Sequence, residues 1–349
     1  MGGKRRRAEA VATAVMTPWV GCRDGQTIVA AESAEKMETI GAINQLRAWV
    51  RAQKRRGLSV ALVPTMGALH DGHRACIETA CGVGDVVVVS IFVNPTQFGV
   101  GEDLDKYPVT IDRDLDVCRN LGVGAVFLPD RAEMYPVDQI VWVEVGKLTE
   151  GLCGRARSGH FRGVATVVAK LFNIVTPDAA VFGQKDAQQA VVIKEMAGQL
   201  NVPVRVVLTP TVREPDGLAL SSRNSYLSPG HRRQAASIYQ ALLAGKRALT
   251  RGARDPNEVT GAVRAALTDA GIDDIEYVEL VDAENLEPLN EVPTGAPSEP
   301  GEGTSAGGGA TPRGTVLLAV AVRIGGTRLI DNLVLRFDTA GEAVEAMLF

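Results

Sequence analysis

The chain has 349 residues, 46% of them apolar, with 37 Lys and Arg set against 41 Asp and Glu for a formal net charge of -4. That length suits one large or two ordinary domains with a substantial core; the charge argues against bulk nucleic-acid binding but leaves room for a local cationic pocket. No apolar run approaches the roughly 20 residues needed to span a bilayer, so no membrane partner is expected. The basic start, Lys4 to Arg7, is followed by Glu9, Arg23 and Asp24 rather than by an uninterrupted apolar segment, which disfavours a secretion signal. Cys22, Cys76, Cys81, Cys118 and Cys153 are odd in number and form no CxxC pair, a usage that fits a reducing cytoplasm better than a disulfide framework or zinc ribbon.

Residues 1–36 show no sustained periodicity and are expected to form a disordered extension. From Thr39 the pattern is helical, with Ile40, Ile43, Leu46, Trp49 and Val50 on one face and Gly57 placed as the stop. Continuous apolar runs at 58–63, 86–93, 125–128, 179–182 and 204–208 predict strands buried on both faces, as in a parallel sheet. Helical patterns at 111–121, 164–175 and 187–200 lie between them. This alternation predicts an α/β fold with a Rossmann-like, doubly wound parallel sheet over 37–224. After Ser228-Pro229 an Ala-rich helix at about 230–250, a second at about 257–270 and strands at 275–280, 315–322 and 329–337 predict a smaller C-terminal α+β domain, 225–349. Within it, residues 293–314 consist almost entirely of Pro, Gly, Ser, Thr, Ala and Glu and are expected to be a disordered insertion.

Several turns at strand ends carry chemistry. His70 and His73 follow a Pro/Gly turn where a helix can begin, and free backbone N–H groups with a positive dipole end suit an anionic ligand there. As a bare HxxH pair they could also be a polar helix start or half a metal site, but only His160 and His231 remain and no carboxylate stands at a typical zinc spacing, which disfavours the metal. Asn94 and Gln97 lie at the carboxyl end of an apolar run, the edge at which open α/β sheets bind ligands, or form an ordinary Asn-Pro turn. In Phe182-Gly-Gln-Lys-Asp186, Gly183 admits close backbone approach, Lys185 offers a cation for phosphate and Asp186 an acceptor for ribose; Asp186 as a helix cap is the alternative. Ser221, Ser222 and Arg223 fit a triphosphate tail or a surface turn. Arg155, Arg157 and His160 could form a second anion site or only a basic loop. Asp112 and Asp114 could hold Mg²⁺ through water or complement a helix dipole. Together these features describe a nucleotide-dependent enzyme with a polar small-molecule substrate.

The segments Pro64-Thr-Met-Gly-Ala-Leu-His-Asp-Gly-His73, Ser90-Ile-Phe-Val-Asn-Pro-Thr-Gln-Phe-Gly99, Glu102-Asp-Leu-Asp-Lys-Tyr-Pro108, His160-Phe-Arg-Gly-Val164, Phe182-Gly-Gln-Lys-Asp186 and Asp216-Gly-Leu-Ala-Leu-Ser-Ser-Arg-Asn224 occur in order over about 37–340. In them the chain resembles the pantothenate synthetase (pantoate-β-alanine ligase) family, whose histidine turn is related to the HIGH signature of nucleotidyltransferases. The resemblance implies a cytoplasmic homodimer that adenylates pantoate with Mg·ATP and passes the pantoyl group to β-alanine, releasing AMP and pyrophosphate. It implies that His70, His73, Lys185 and Asn94 are catalytic. Met66, His73, Gly183, Lys185, Asp186, Val212, Ser221, Ser222 and Arg223 would bind ATP, Gln97 and Gln189 pantoate, and Asp114 would stand near Mg²⁺. Gln184 and Ala187 depart from the Glu and the aromatic residue often found in the family. A nucleotidyltransferase that keeps the nucleotide on its product and a non-catalytic nucleotide-binding module are the alternatives.

Overall fold

Side chains alternate between two cores along each strand of a sheet, and that alternation organises the larger part of this chain. In the computed structural model, which describes residues 37–99, 101–293, 314–338 and 342–349, the strands are β1 (Glu38–Ile40), β2 (Val60–Thr65), β3 (Val86–Ile91), β4 (Ala125–Phe127), β5 (Ala179–Gly183) and β6 (Arg205–Thr209). Among the described residues they form one six-stranded parallel sheet in the order β1-β4-β3-β2-β5-β6. Val60 and Leu62 of β2 face a core with Leu46, Val168 and Ile193, whereas Ala61 and Val63 face one with Ile77, Ala80 and Cys118. The first layer comprises α1 (Ile43–Arg55), α6 (His160–Val175) and α7 (Ala187–Gln199); the second comprises α2 (Asp71–Val83) and α3 (Ile111–Asn120). Two short helices, α4 (Arg131–Met134) and α5 (Leu152–Ala156), lie between β4 and α6. A parallel sheet covered on both faces is the α/β, doubly wound class expected.

The chain runs outward from β2 through β3 to β4, then returns to β5 on the other side of β2. The order therefore reverses beside β2, and the crevice at the carboxyl ends of β2 and β5 is the topological switch point. Pro64 fits this position. The β2–β5 ladder pairs Ala61 with Ala179 and Leu62 with Ala180, so a residue without a backbone N–H stands beyond it, where the two strands part.

The second sheet is antiparallel, in the order β10-β9-β8-β7, from β7 (Ile275–Asp282), β8 (Val316–Ile324), β9 (Thr327–Phe337) and β10 (Ala343–Glu345). Leu318, Val320 and Leu335 pack with Leu242 of α9 (Ser237–Thr250) and Val263 of α10 (Pro256–Asp269). The expected extension 1–36 and residues 294–313 of the expected insertion lie outside the described residues.

Two local expectations need correction, and one strand was not expected. Thr39 and Ile40 belong to β1 rather than to a helix, because they pair with Val126 and Phe127 at the sheet edge; the helix they were expected to open begins at Ile43. Gly57 does act as the stop, with φ +80°. The single helix at 230–250 is two, α8 (Pro229–Ala235) and α9, divided at Ala236, whose dihedrals remain right-handed (φ -61°, ψ -24°). The three-residue β10, paired antiparallel to β9, had no sequence expectation.

One close approach ties α6 to the active edge. A Cβ on Gly163 would lie 2.3 Å from the Thr96 carbonyl oxygen and 2.7 Å from the Gln97 nitrogen, all backbone. Gly163→Ala should therefore destabilise the protein by about 2–3 kcal/mol, as overpacking does. A urea midpoint equal to that of the wild type would contradict this contact.

Candidate active site

Four strands deliver their following turns to one edge, and these turns enclose a cleft of about 1340 Å³. Ordinary single-ligand pockets span roughly 300–1,000 Å³, so this one has room for two small molecules side by side. Met66, His70, His73, Asn94, Gln97, Gly183, Lys185, Asp186, Gln189, Val212, Ser221, Ser222 and Arg223 all line it. Of the residues that the family resemblance assigns to the site only Asp114 does not, and the further candidates Asp112 and Arg155 lie outside it as well.

The turn after β2 is strained and externally held. Gly67 and Ala68 both have positive φ, +84° and +50°; for alanine that conformation costs about 1–2 kcal/mol. The fully buried Asp114 of α3 accepts the N–H of Ala68 at 2.8 Å, the N–H of Leu69 at 2.9 Å and the Thr110 hydroxyl at 3.0 Å. Its oxygens face backbone amides and a hydroxyl, so the carboxylate shapes the histidine turn. Asp112 is exposed in the first turn of α3. Among the described residues no group of three or more His, Cys, Asp or Glu could hold a metal ion.

His70 is the N-cap of α2. Its Nδ1 accepts the Gly72 N–H at 3.1 Å, and the His73 Nδ1 accepts the His70 N–H at 3.3 Å. With both Nδ1 atoms acting as acceptors, the ring protons reside on Nε2, so each neutral imidazole keeps one N–H donor. The rings lie 4.1 Å apart between centroids. Burial lowers His70 to about 4, helped by Lys185, and lowers His73 to about 3, helped by His70. Both are therefore uncharged at neutral pH. In the ligand-free protein their NMR resonances should hold neutral-form positions as pH falls from about 8 to about 5; titration at the ordinary 6.5 would contradict the burial argument. Because the unfolded chain takes up these protons first, their contribution to stability is lost as pH falls from about 6.5 toward 4.

The turn after β5 presents Lys185 and Asp186 at the start of α7. The nearest carboxylate to the Lys185 Nζ among the described residues is its own neighbour, Asp186, at 4.0 Å. Asp186 occupies the N-cap position yet makes no side-chain cap bond, which removes the capping alternative and leaves its oxygens for a ligand. A Cβ on Gly183 would meet nothing nearer than the Cys76 sulfur at 4.0 Å. One turn into α7, Gln189 is half-buried at the cleft wall.

Gln97 is held from several directions. Asn94 donates from Nδ2 to the Gln97 side-chain oxygen at 3.1 Å and to the Gly163 carbonyl at 3.2 Å, while its Oδ1 accepts from Thr96. Both polar atoms of the Asn94 side chain are thereby bonded inside the protein. The Gln97 carbonyl accepts from Arg157 Nη2 at 3.2 Å and meets His160 Nδ1 at 2.8 Å. Arg157 also donates to His160 Nε2 at 2.9 Å, so the His160 proton sits on Nδ1; burial and Arg157 lower His160 to about 4. Of the two readings of Arg155, Arg157 and His160, the contacts match the basic loop rather than a second anion site. Arg157 is paired with Glu102 at 2.7 and 2.6 Å, and Arg155 pairs with Glu279. Two arginines so neutralised brace the loop instead.

Arg223 reaches the cleft from the 3₁₀ turn Ser222–Tyr226, where its Nε and Nη2 form a fork on Asp103 at 2.8 and 2.9 Å. Ser222 bonds the Tyr107 hydroxyl at 3.1 Å, and the Ser221 hydroxyl accepts the Arg223 N–H at 3.3 Å. Sequence reading assigned no role to Glu102, Asp103 or Tyr107. The segment Glu102–Pro108 was legible only as one of the stretches carrying the family resemblance; the arginine partners of Glu102 and Asp103 lie 55 and 120 positions away, beyond any local pattern.

The sequence model of the family described as Pantoate-beta-alanine ligase matches residues 38–334. A pantothenate synthetase of Moorella thermoacetica is 48% identical over 302 residues, covering 86% of this chain and 100% of that protein. The crystal structure of pantothenate synthetase from Thermus thermophilus is similar at TM-score 0.75 and 42% identity, covering 85% of this chain and 99% of that one. That of a pantoate-β-alanine ligase from Francisella tularensis, complexed with β,γ ATP and β-alanine, has TM-score 0.67 and 29% identity over 85% and 97% of the two chains.

Proposed function

The chain belongs to the Pantoate-beta-alanine ligase family of enzymes, and on that premise we propose that it condenses pantoate with β-alanine through a pantoyl adenylate. The observation that carries the reading is the meeting of the histidine turn and the Lys185 turn at the switch point of the sheet, in one cleft with Gln97 and Gln189. The pantoate carboxylate attacks the α-phosphorus of Mg·ATP and pyrophosphate leaves. The β-alanine amine then attacks the acyl carbon and AMP leaves. Neither step needs a protein nucleophile; alignment and stabilisation of developing negative charge suffice.

His70 and His73 direct neutral Nε2–H donors toward the phosphates, and the Lys185 ammonium adds a point charge. Ser221, Ser222 and Arg223 hold the phosphate tail, with Arg223 shared between it and Asp103. Met66, Gly183, Asp186 and Val212 contact the nucleoside portion, Asp186 accepting from ribose hydroxyls. Gln97 and Gln189 take pantoate. Magnesium arrives with ATP as part of the substrate, since that ion commonly retains its waters and phosphate oxygens and needs few protein ligands. We further read 37–224 and 225–349 as two domains, and the chain as a cytoplasmic homodimer; exposed Val137, Ile140 and Val141 offer apolar surface for association.

Pantoate-dependent exchange of labelled pyrophosphate into ATP tests the first half-reaction directly. We expect exchange that requires both pantoate and Mg²⁺, and AMP release once β-alanine is added. A stable nucleotidylated product would support the nucleotidyltransferase alternative, and absence of exchange would sink the ligase reading.

A further inference from the structure

Asn332 reaches from β9 of the antiparallel sheet to the turn that carries Lys185. Its side-chain nitrogen donates to the Gln184 carbonyl at 3.2 Å and to the Lys185 carbonyl at 2.8 Å. Only an amide nitrogen can face two carbonyls, which settles the orientation of the group. Its Oδ1 is buried without a hydrogen-bond partner among the described residues, although Asn332 lines the cleft. With the residue only 5% exposed, such an orphan acceptor is costly and rare in folded proteins, and a bound ligand is one reason to keep it.

The mount behind Asn332 is rigid. Its N–H donates to the Asp331 carboxylate at 2.8 Å and its carbonyl accepts from Arg213 at 3.3 Å. Arg213 in turn forks onto Asp331 at 2.6 and 3.0 Å and stacks 4.0 Å from the Tyr239 ring centre. Hydrogen bonds from a fixed support are what hold a cationic side chain in one direction.

We infer that Asn332 is a positioning residue for the nucleotide: it locks the Gln184–Asp186 turn so that Lys185 points into the cleft, and it offers Oδ1 to a donor group of the bound nucleoside triphosphate. This rests on the reading of Lys185 as a phosphate ligand. Gln184 provides the comparison, because its side chain spans the same seam through the Ala346 carbonyl and the Leu348 N–H, both at 3.1 Å, without touching the Lys185 carbonyl.

The test is ATP binding by titration calorimetry, with melting temperature measured alongside and pyrophosphate exchange run in parallel. Asn332→Ala should weaken ATP about tenfold, the order expected for one lost hydrogen-bonded anchor, and raise the KM for ATP while the KM for pantoate stays within about twofold. Asn332→Asp, which keeps the volume but loses the donors, should weaken ATP at least as much and covers the case in which the alanine variant fails to fold. Gln184→Ala should lower the melting temperature and leave ATP affinity within about twofold. Unchanged ATP affinity in a folded Asn332 variant, or an equal loss in Gln184→Ala, overturns the inference. Wild-type ATP binding without pantoate-dependent exchange would instead sink the ligase reading and leave this one standing.

Discussion

Replacing His73 with alanine is expected to lower pyrophosphate exchange by roughly 10²-fold or more while the protein stays folded, the loss that follows removal of one preorganised donor from a developing oxyanion. The geometry explains why the effect should fall on the rate. The His73 Nδ1 is occupied by the His70 N–H at 3.3 Å, so the ring is fixed and its remaining proton resides on Nε2. Burial keeps the ring neutral, at about 3, and a neutral donor needs no rearrangement of charge before the phosphate arrives. The structural penalty is smaller: losing an N-terminal helix contact costs about 1 kcal/mol. Circular dichroism should therefore match the wild type. Wild-type turnover by a folded His73→Ala protein would remove His73 from the chemistry.

Asp114→Ala should act through the fold. Its carboxylate serves two backbone amides and one hydroxyl at 2.8–3.0 Å from a fully buried position. Orphaned buried donors cost about 1–3 kcal/mol each, so a loss of roughly 3–5 kcal/mol is expected. The positive-φ pair Gly67 and Ala68 would lose its tether, and activity should fall with the disordered histidine turn. Asp114→Asn separates this role from metal binding. The asparagine variant should be less stable, because its NH₂ faces amide donors, but should need no more Mg²⁺ for half-maximal exchange than the wild type. A raised Mg²⁺ requirement with unchanged stability would restore Asp114 to the metal.

Much of the architecture was legible because it depends on local repetition. The β2, β3 and β5 runs are apolar enough to be covered on both faces, and alternation with helical patterns leaves few topologies. The turns carrying His70, His73, Lys185 and Asp186 could be read for a similar reason: each joins a strand end to a helix start, where the backbone itself favours anions. The Asp186 carboxylate, by contrast, reads locally as a helix cap before it reads as a ribose acceptor, and only the missing cap bond separates the two. Thr39 and Ile40 misled because a three-residue edge strand contains too few residues to establish a period of two against a neighbouring helix.

The sequence by itself determined the class of fold, the order of its elements and the residue types brought to the rim of the sheet, since hydrophobic period and turn chemistry act within a few residues. Tertiary structure decided how those side chains are used. Asp114 came to support a strained turn 45 positions away, Arg157 became a brace for Gln97, Arg223 the partner of Asp103, and Asn332 met Lys185 across 147 positions. A carboxylate or guanidinium can satisfy a cation, an anion or a backbone group equally well, and only the path of the chain through space determines which of them comes within hydrogen-bonding distance.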